Sequence, residues 1–173
     1  MKLDKKQIPL KVKEVSETGE FAGYGSVFGN VDSYGDIVLP GAFEKSLDNR
    51  PAAEVKLLWQ HDPAEPIGVY KAMREDEHGL YVEGRLLIDD DPLAKRAHAH
   101  LKAGSLSGLS IGYMTEEEEY DKERGAFLLK ELELWEVSLV TFPANEEARV
   151  DAVKSIRRSL LTGEDIEKRT VEQ

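Results

Sequence analysis

The chain has 173 residues, of which 40% are hydrophobic and 33% charged, the make-up of one globular domain with a single sizeable core. It contains no cysteine, so disulfides, thiol nucleophiles and thiolate metal sites are excluded, and a reducing compartment suits it. A formal net charge of -11 repels phosphate backbones and argues against broad nucleic-acid binding, and no run approaches the roughly 18 apolar residues of a membrane-spanning helix.

Met1 to Lys6 has no apolar stretch behind its basic residues and is not expected to act as a secretion signal. Phe21 to Phe28 alternates large and small side chains, as a strand packed closely on a neighbour does. Asn30 to Gly35 reads as a turn, Ile37 to Leu39 as a short strand and Pro40 to Leu47 as a short helix. Val55 to Gln60 reads as a strand. Ile67 to Arg74 and Leu80 to Ile88 form a hairpin pattern turning at Asp76 to Gly79. Asp90, Asp91 and Pro92 start a helix whose Leu93, Ala97 and Leu101 share one face, and Gly104 stops it. Leu109 to Tyr120 and Ala126 to Val140 are two long strands joined by the polar turn Asp121 to Gly125. Pro143 to Asn145 breaks the pattern, and Glu146 to Leu161 is expected to be helical, with a loose polar end after it. The expected fold is β-rich α+β: a closed or nearly closed β-barrel with a few helices around it. Residues 1–150 would form that domain and residues 151–173 a charged helical tail. The acidic run Glu116 to Glu119 and the basic Lys154, Arg157 and Arg158 are read as solvated surface.

Three segments could carry chemistry. Strand alternation puts His61 on one face with Val55, Leu57 and Trp59. Such a histidine is either a core or edge residue satisfied by a carbonyl, or a base held at the end of a rigid strand. Ser110 lies between Gly108 and Gly112 on one strand face, with Leu109, Ile111 and Tyr113 on the other. The glycines would leave space above the hydroxyl and let backbone N–H groups approach a reacting carbonyl, or they merely relieve a tight packing contact. Ser105 and Ser107 are rivals, but at the helix exit turn and cap roles explain them. In Glu131 to Val140, Leu132, Leu134, Glu136, Ser138 and Val140 share a face. If that is the core face, Glu136 is a buried carboxylate in need of a partner, and an imidazole N–H is a natural one. Otherwise Glu136 reaches water at a sheet margin. Ser138, on the same face, is a second residue that could support the histidine.

No catalytic metal or cofactor is expected. His98 and His100 are two apart on a helix and diverge, His78 lies in a turn, and Asn30, Asp32 and Asp36 miss the spacing of a calcium loop.

Taken together, the segments resemble the prohead (capsid maturation) proteases of tailed phages, relatives of the herpesvirus assemblins. The landmarks run in order from about Phe21 to Val150: Gly-Tyr-Gly-Ser-Val-Phe at 23–28 and Asp-Ile-Val-Leu-Pro-Gly-Ala-Phe at 36–43, then Leu-Leu-Trp-Gln-His-Asp at 57–62 and Pro-Ile-Gly at 66–68. Gly-Leu-Ser-Ile-Gly-Tyr at 108–113 and Trp-Glu-Val-Ser-Leu-Val-Thr-Phe-Pro-Ala-Asn at 135–145 complete the set. The resemblance implies an assemblin-like barrel, with Ser110 as nucleophile and His61 as base. Assemblins use a second histidine on a strand after the serine. This chain has no histidine beyond His100, and Glu136 occupies the comparable stretch as the third member. The implied substrates are the major capsid protein, the scaffold and the enzyme itself, inside an immature procapsid in the host cytoplasm. Self-association is a further implied contact, and neither nucleic acid nor membrane is an expected partner. A non-catalytic capsid-assembly module on the same fold and a serine esterase or amidase are the competing readings. The loop after Val140 is a candidate source of oxyanion donors.

Overall fold

Alternating apolar residues build eight strands within residues 12–143, the part of the chain that the computed structural model describes. In chain order these are β1 (Val12–Val15), β2 (Glu20–Val27), β3 (Asp36–Val38), β4 (Lys56–Trp59), β5 (Asp62–Glu75), β6 (Gly79–Leu86), β7 (Gly108–Asp121) and β8 (Ala126–Val140). Two α-helices accompany them, α1 (Glu44–Asn49) and α2 (Pro92–Ala103). Capping sets α2: the Asp91 side chain accepts from the Leu93 N–H, Pro92 fills the first turn, and Gly104 closes the helix with φ +80°. The β5–β6 turn is held by Asp76, whose Oδ1 accepts from the backbone of His78 and Gly79. Strand β5 begins at Asp62, earlier than its apolar pattern at Ile67. Residues 62–66 are polar or exposed, yet they pair with β4 through Trp59–Asp62 and Leu58–Pro66.

The strands form one sheet in the order β1-β2-β6-β5-β4-β8. Strand β8 is its organising element. Along one edge it pairs antiparallel with β7 over its whole length. Along the other it pairs in parallel with β3 at 127–129 and with β4 at 136–139. Between those two partners the backbone of β8 would be left unpaired, which is costly where it is buried. The region of α1 fills the gap. The Leu132 N–H donates to the Ala42 carbonyl (2.9 Å), and the Leu134 N–H to Ser46 Oγ (2.8 Å). Arg50 donates to the Leu134 carbonyl (3.1 Å) and to Glu133 Oε1 (3.1 Å), and its guanidinium lies 3.8 Å from the centre of the Trp135 ring.

The sheet curls around one core. Phe21, Leu57, Ile67, Tyr70, Leu80, Val82, Leu109, Leu134, Val137 and Leu139 belong to the same buried cluster, joined by Phe43 and by Ala94, Ala97 and Leu101 of α2. The curl brings β2, near one end of the sheet, over β7 and β8 at the other. A Cβ at Gly25 of β2 would lie 3.1 Å from Val137 and 3.6 Å from Ile111. Among the described strands no pairing joins the two ends, so the architecture is a curled half-barrel with few helices. None of the described helices is long and apolar enough to cross a membrane. The helix expected at 146–161 and the tail at 151–173 lie outside the described residues.

Ser46 is buried and its hydroxyl is the acceptor for the Leu134 N–H. Ser46→Ala leaves that donor unsatisfied, and the expected cost is about 1–3 kcal/mol, read as a lower urea midpoint at an unchanged m-value.

Candidate active site

The two long strands β7 and β8 place a hydroxyl and a carboxylate side by side. Ser110 stands opposite Ser138, and Gly112 stands opposite Glu136. The expected alternation along β8 does not hold, because the ladder slips just beyond the Gly112–Glu136 rung. Gly112 pairs with Glu136 but Tyr113 pairs with Leu134, so Trp135 is an extra residue on β8, a β-bulge. The bulge reverses the phase of the strand. Leu132 and Leu134 point into the core before it, and Val137 and Leu139 do so after it. Glu136 and Ser138 therefore lie on the face opposite Val137 and Leu139, not on the leucine face assumed from the sequence. Trp135 is left 46% exposed under the Arg50 guanidinium.

His61 is not a strand residue either. β4 ends at Trp59, which pairs with Asp62, and Gln60 and His61 form the two-residue turn between β4 and β5. Both have positive φ, 51° and 59°, as a primed hairpin turn requires. Asn-Gly is the usual solution, and two residues bearing Cβ there cost roughly 1–3 kcal/mol each. Strand β8 holds the turn in this state. The Gln60 N–H donates to the Leu139 carbonyl (3.0 Å) and the His61 N–H to Ser138 Oγ (3.1 Å). The Gln60 side chain donates to Thr141 Oγ1 (2.7 Å) and accepts from the Thr141 N–H (3.2 Å).

That turn brings the imidazole between the two rungs of β7 and β8. His61 Nε2 lies 2.9 Å from Ser110 Oγ. Its Nδ1 is paired with Glu136 Oε1. The other carboxylate oxygen, Oε2, accepts from Ser138 Oγ at 2.6 Å. His61 is 5% exposed, while Ser110 remains partly open. An ionised carboxylate can only accept, so Nδ1 carries a proton and Nε2 offers its lone pair to the serine.

Of the two readings of the flanking glycines, the contacts match relief of tight packing and not open space above the hydroxyl. A Cβ on Gly112 would lie 2.7 Å from both Cγ and Cδ of Glu136, and one on Gly108 would lie 2.7 Å from Pro143 Cδ. Gly112 is the room the Glu136 side chain occupies. Beneath the site, the fully buried Tyr70 hydroxyl donates to the Val137 carbonyl (2.8 Å). Burial first, and the nearby Glu136 charge second, hold its phenol well above the usual range.

The other histidines, Ser105 and Asp32 are occupied elsewhere. His98 Nε2 bonds the Ser16 carbonyl (2.7 Å), His100 bonds Ser105 Oγ (2.7 Å), and His78 packs edge-on against Tyr24. Asp32 closes its own loop by accepting from the Tyr34 and Asp36 N–H groups. The loop after Val140 is described only through Pro143. Gln60 and Thr141 escaped sequence reading, since nothing in Trp59-Gln-His-Asp62 marks a two-residue turn.

A serine hydroxyl, an imidazole and a carboxylate in hydrogen-bonded series have the form of the serine-hydrolase relay. Comparison with known proteins narrows that class. Residues 6–161 match the family model of the caudovirus prohead serine proteases, and the chain belongs to that family. It is 38% identical over 149 residues to the prohead protease of Enterobacteria phage HK97, covering 85% of this chain and 65% of that protein. It is 32% identical over 127 residues to the prohead protease of Escherichia phage T5, covering 72% and 59%. The chain thus spans less than two-thirds of the length of these relatives. The solved structure of the bacteriophage T4 capsid assembly protease superposes with a TM-score of 0.51 at 14% identity, over 76% of this chain and 91% of that one, a likeness of fold.

Two measurements check this geometry. Gly112→Ala is expected to push the Glu136 carboxylate off the imidazole. Labelling of Ser110 by a fluorophosphonate should fall at least tenfold, while thermal unfolding moves by only a few degrees. For Tyr70, the unfolded chain loses its phenolic proton near pH ~10, before the folded chain does. Its stabilising contribution is therefore full below about pH 10 and is lost as pH rises towards the native value. The stability difference between wild type and Tyr70→Phe should be flat from about pH 7 to 9 and shrink above about pH 10 in urea titrations.

Proposed function

We propose that the chain is a serine endopeptidase of phage capsid maturation, with Ser110 as nucleophile, His61 as general base and Glu136 as the carboxylate that orients His61. The observation that carries this is the 2.9 Å contact from His61 Nε2 to Ser110 Oγ, with the opposite ring nitrogen tied to Glu136. That contact lies inside the roughly 2.6–3.2 Å reach of a general base. Family membership supports peptide bonds as the substrate class.

The chemistry runs as follows. Nε2 takes the Ser110 proton as Oγ attacks the peptide carbonyl carbon. Glu136 stabilises the imidazolium that forms, and backbone N–H groups hold the oxyanion. The C–N bond breaks as His61 returns the proton to the leaving amine. Water, activated by the same Nε2, then hydrolyses the acyl-enzyme and regenerates Ser110.

On this reading the substrates are the major capsid protein and the scaffold, with self-cleavage and self-association inside the immature procapsid in the host cytoplasm. Neither nucleic acid nor membrane takes part. Residues 1–150 form the protease domain and 151–173 a tail, and the half-barrel is nearly closed where β2 faces β7 and β8.

A fluorophosphonate probe and purified capsid precursor test the proposal together. Wild type should label and should cleave the precursor, and Ser110→Ala should do neither. Labelling without cleavage would favour an esterase or amidase. Absence of labelling in folded protein would favour a non-catalytic assembly module. Glu136→Gln should lower the cleavage rate by roughly 10²–10⁴-fold, because an amide donor facing Nδ1 would favour the tautomer with its proton on Nε2.

A further inference from the structure

Ser138 bonds both ends of the histidine system. Its hydroxyl is 0% exposed, accepts from the His61 backbone N–H at 3.1 Å and donates to Glu136 Oε2 at 2.6 Å. Glu136 Oε1 in turn faces the ring of the same His61. The bonds close a circuit: His61 N–H to Ser138 Oγ, Ser138 O–H to Glu136, and Glu136 back to the His61 imidazole.

A serine hydroxyl has one proton. Because Oγ accepts from a backbone N–H, which cannot reverse its role, the hydroxyl proton is free to point only at the carboxylate. The direction of the circuit is thereby set. Two degrees of freedom are set with it. The strained Gln60-His61 turn gains an acceptor for a buried N–H, and rotation of the Glu136 carboxylate about its last bond is stopped with Oε1 on Nδ1. Cross-strand pairing gives the placement its rigidity, since Ser138 stands opposite Ser110 on β7 and opposite Leu58 on β4, three residues before His61.

We propose that Ser138 is a positioning residue of this active site. It couples the backbone of the His61 turn to the Glu136 carboxylate and so holds the imidazole in the tautomer and orientation that Ser110 requires. This rests on the assignment of Ser110, His61 and Glu136 above, and it adds a fourth residue that never touches substrate.

The test uses the whole chain and two readouts. The first is the rate of fluorophosphonate labelling of Ser110, with kcat and KM on capsid precursor. The second is the far-downfield proton resonance of the His61 Nδ1–H bond to Glu136, identified by its loss in Glu136→Gln. Ser138→Ala should slow labelling roughly 10- to 100-fold, less than removal of the ~10²–10⁴-fold contribution of a general base. Its kcat should fall with KM within about twofold of wild type, and the downfield resonance should shift or broaden. Ser138→Cys keeps a weaker donor of similar size and should fall between alanine and wild type in both readouts. It carries the test if the alanine variant does not fold.

Wild-type labelling rates in Ser138→Ala, or in Ser138→Cys should alanine not fold, with the resonance unmoved, would overturn the proposal. If wild type itself fails to label, or Ser110→Ala still labels, the nucleophile assignment is wrong. The resonance then still decides whether Ser138 orients the His61–Glu136 pair.

Discussion

The face that carries the candidate site exists because strand β8 changes phase at Trp135. Without the extra residue, the alternation that buries Leu132 and Leu134 would carry Glu136 and Ser138 into the core beside them. A carboxylate there would lose its hydration with no certain return. With the bulge, the same strand buries leucines on one side of Trp135, buries Val137 and Leu139 on the other, and presents Glu136 and Ser138 to Ser110 and His61. A bulge disrupts its ladder locally; on the other edge of β8, in the gap between β3 and β4, the backbone groups of Leu134 beside it are taken up by Ser46 and Arg50. The short helix α1 thus supports the site from a distance, although none of its residues reaches the imidazole.

The second constraint is local strain. Gln60 and His61 both occupy the left-handed region that glycine or asparagine would adopt more cheaply. Each is retained by hydrogen bonds to β8 or to the residue just beyond it. A glycine at position 61 would ease the turn but would carry no imidazole. The strain and the imidazole occupy the same residue, so the surrounding bonds must over-determine the conformation. Rigidity of this kind suits a base whose nitrogen must stay within hydrogen-bond reach of a hydroxyl. β7 serves the same end: Leu109 and Tyr113 anchor it in the core while Ser110 faces outward.

Much of the fold was legible in the sequence. The Asp91-Pro92 start and Gly104 stop of α2, the Asp76 turn and the long β7–β8 hairpin all rest on local rules, and local rules act on neighbours along the chain. The polar start of β5 was not legible, because exposed residues pair there through backbone atoms that leave no trace in hydrophobic pattern. The extent of closure was not legible: apolar strands announce a curved sheet around a core but do not say how far it curls.

Residue chemistry made Ser110, His61 and Glu136 candidates, the ordered family resemblance singled them out, and Ser138 stood as an alternative support for His61. The reasons attached to them were partly different from the physical ones. His61 was read as the end of a strand and is a turn residue of positive φ. Glu136 was placed on a leucine face and lies on the opposite one. For Gly112 the sequence leaves open either space above the hydroxyl or relief of a packing contact, and the contact proves to be the Glu136 side chain. By itself the sequence determined which side chains were available and roughly which elements carried them, because side-chain identity and local periodicity are properties of the chain. Only the tertiary structure decided that they meet. A one-residue slip between β7 and β8 reverses which face a side chain occupies, and that slip is set by long-range pairing with β3, β4 and the region of α1.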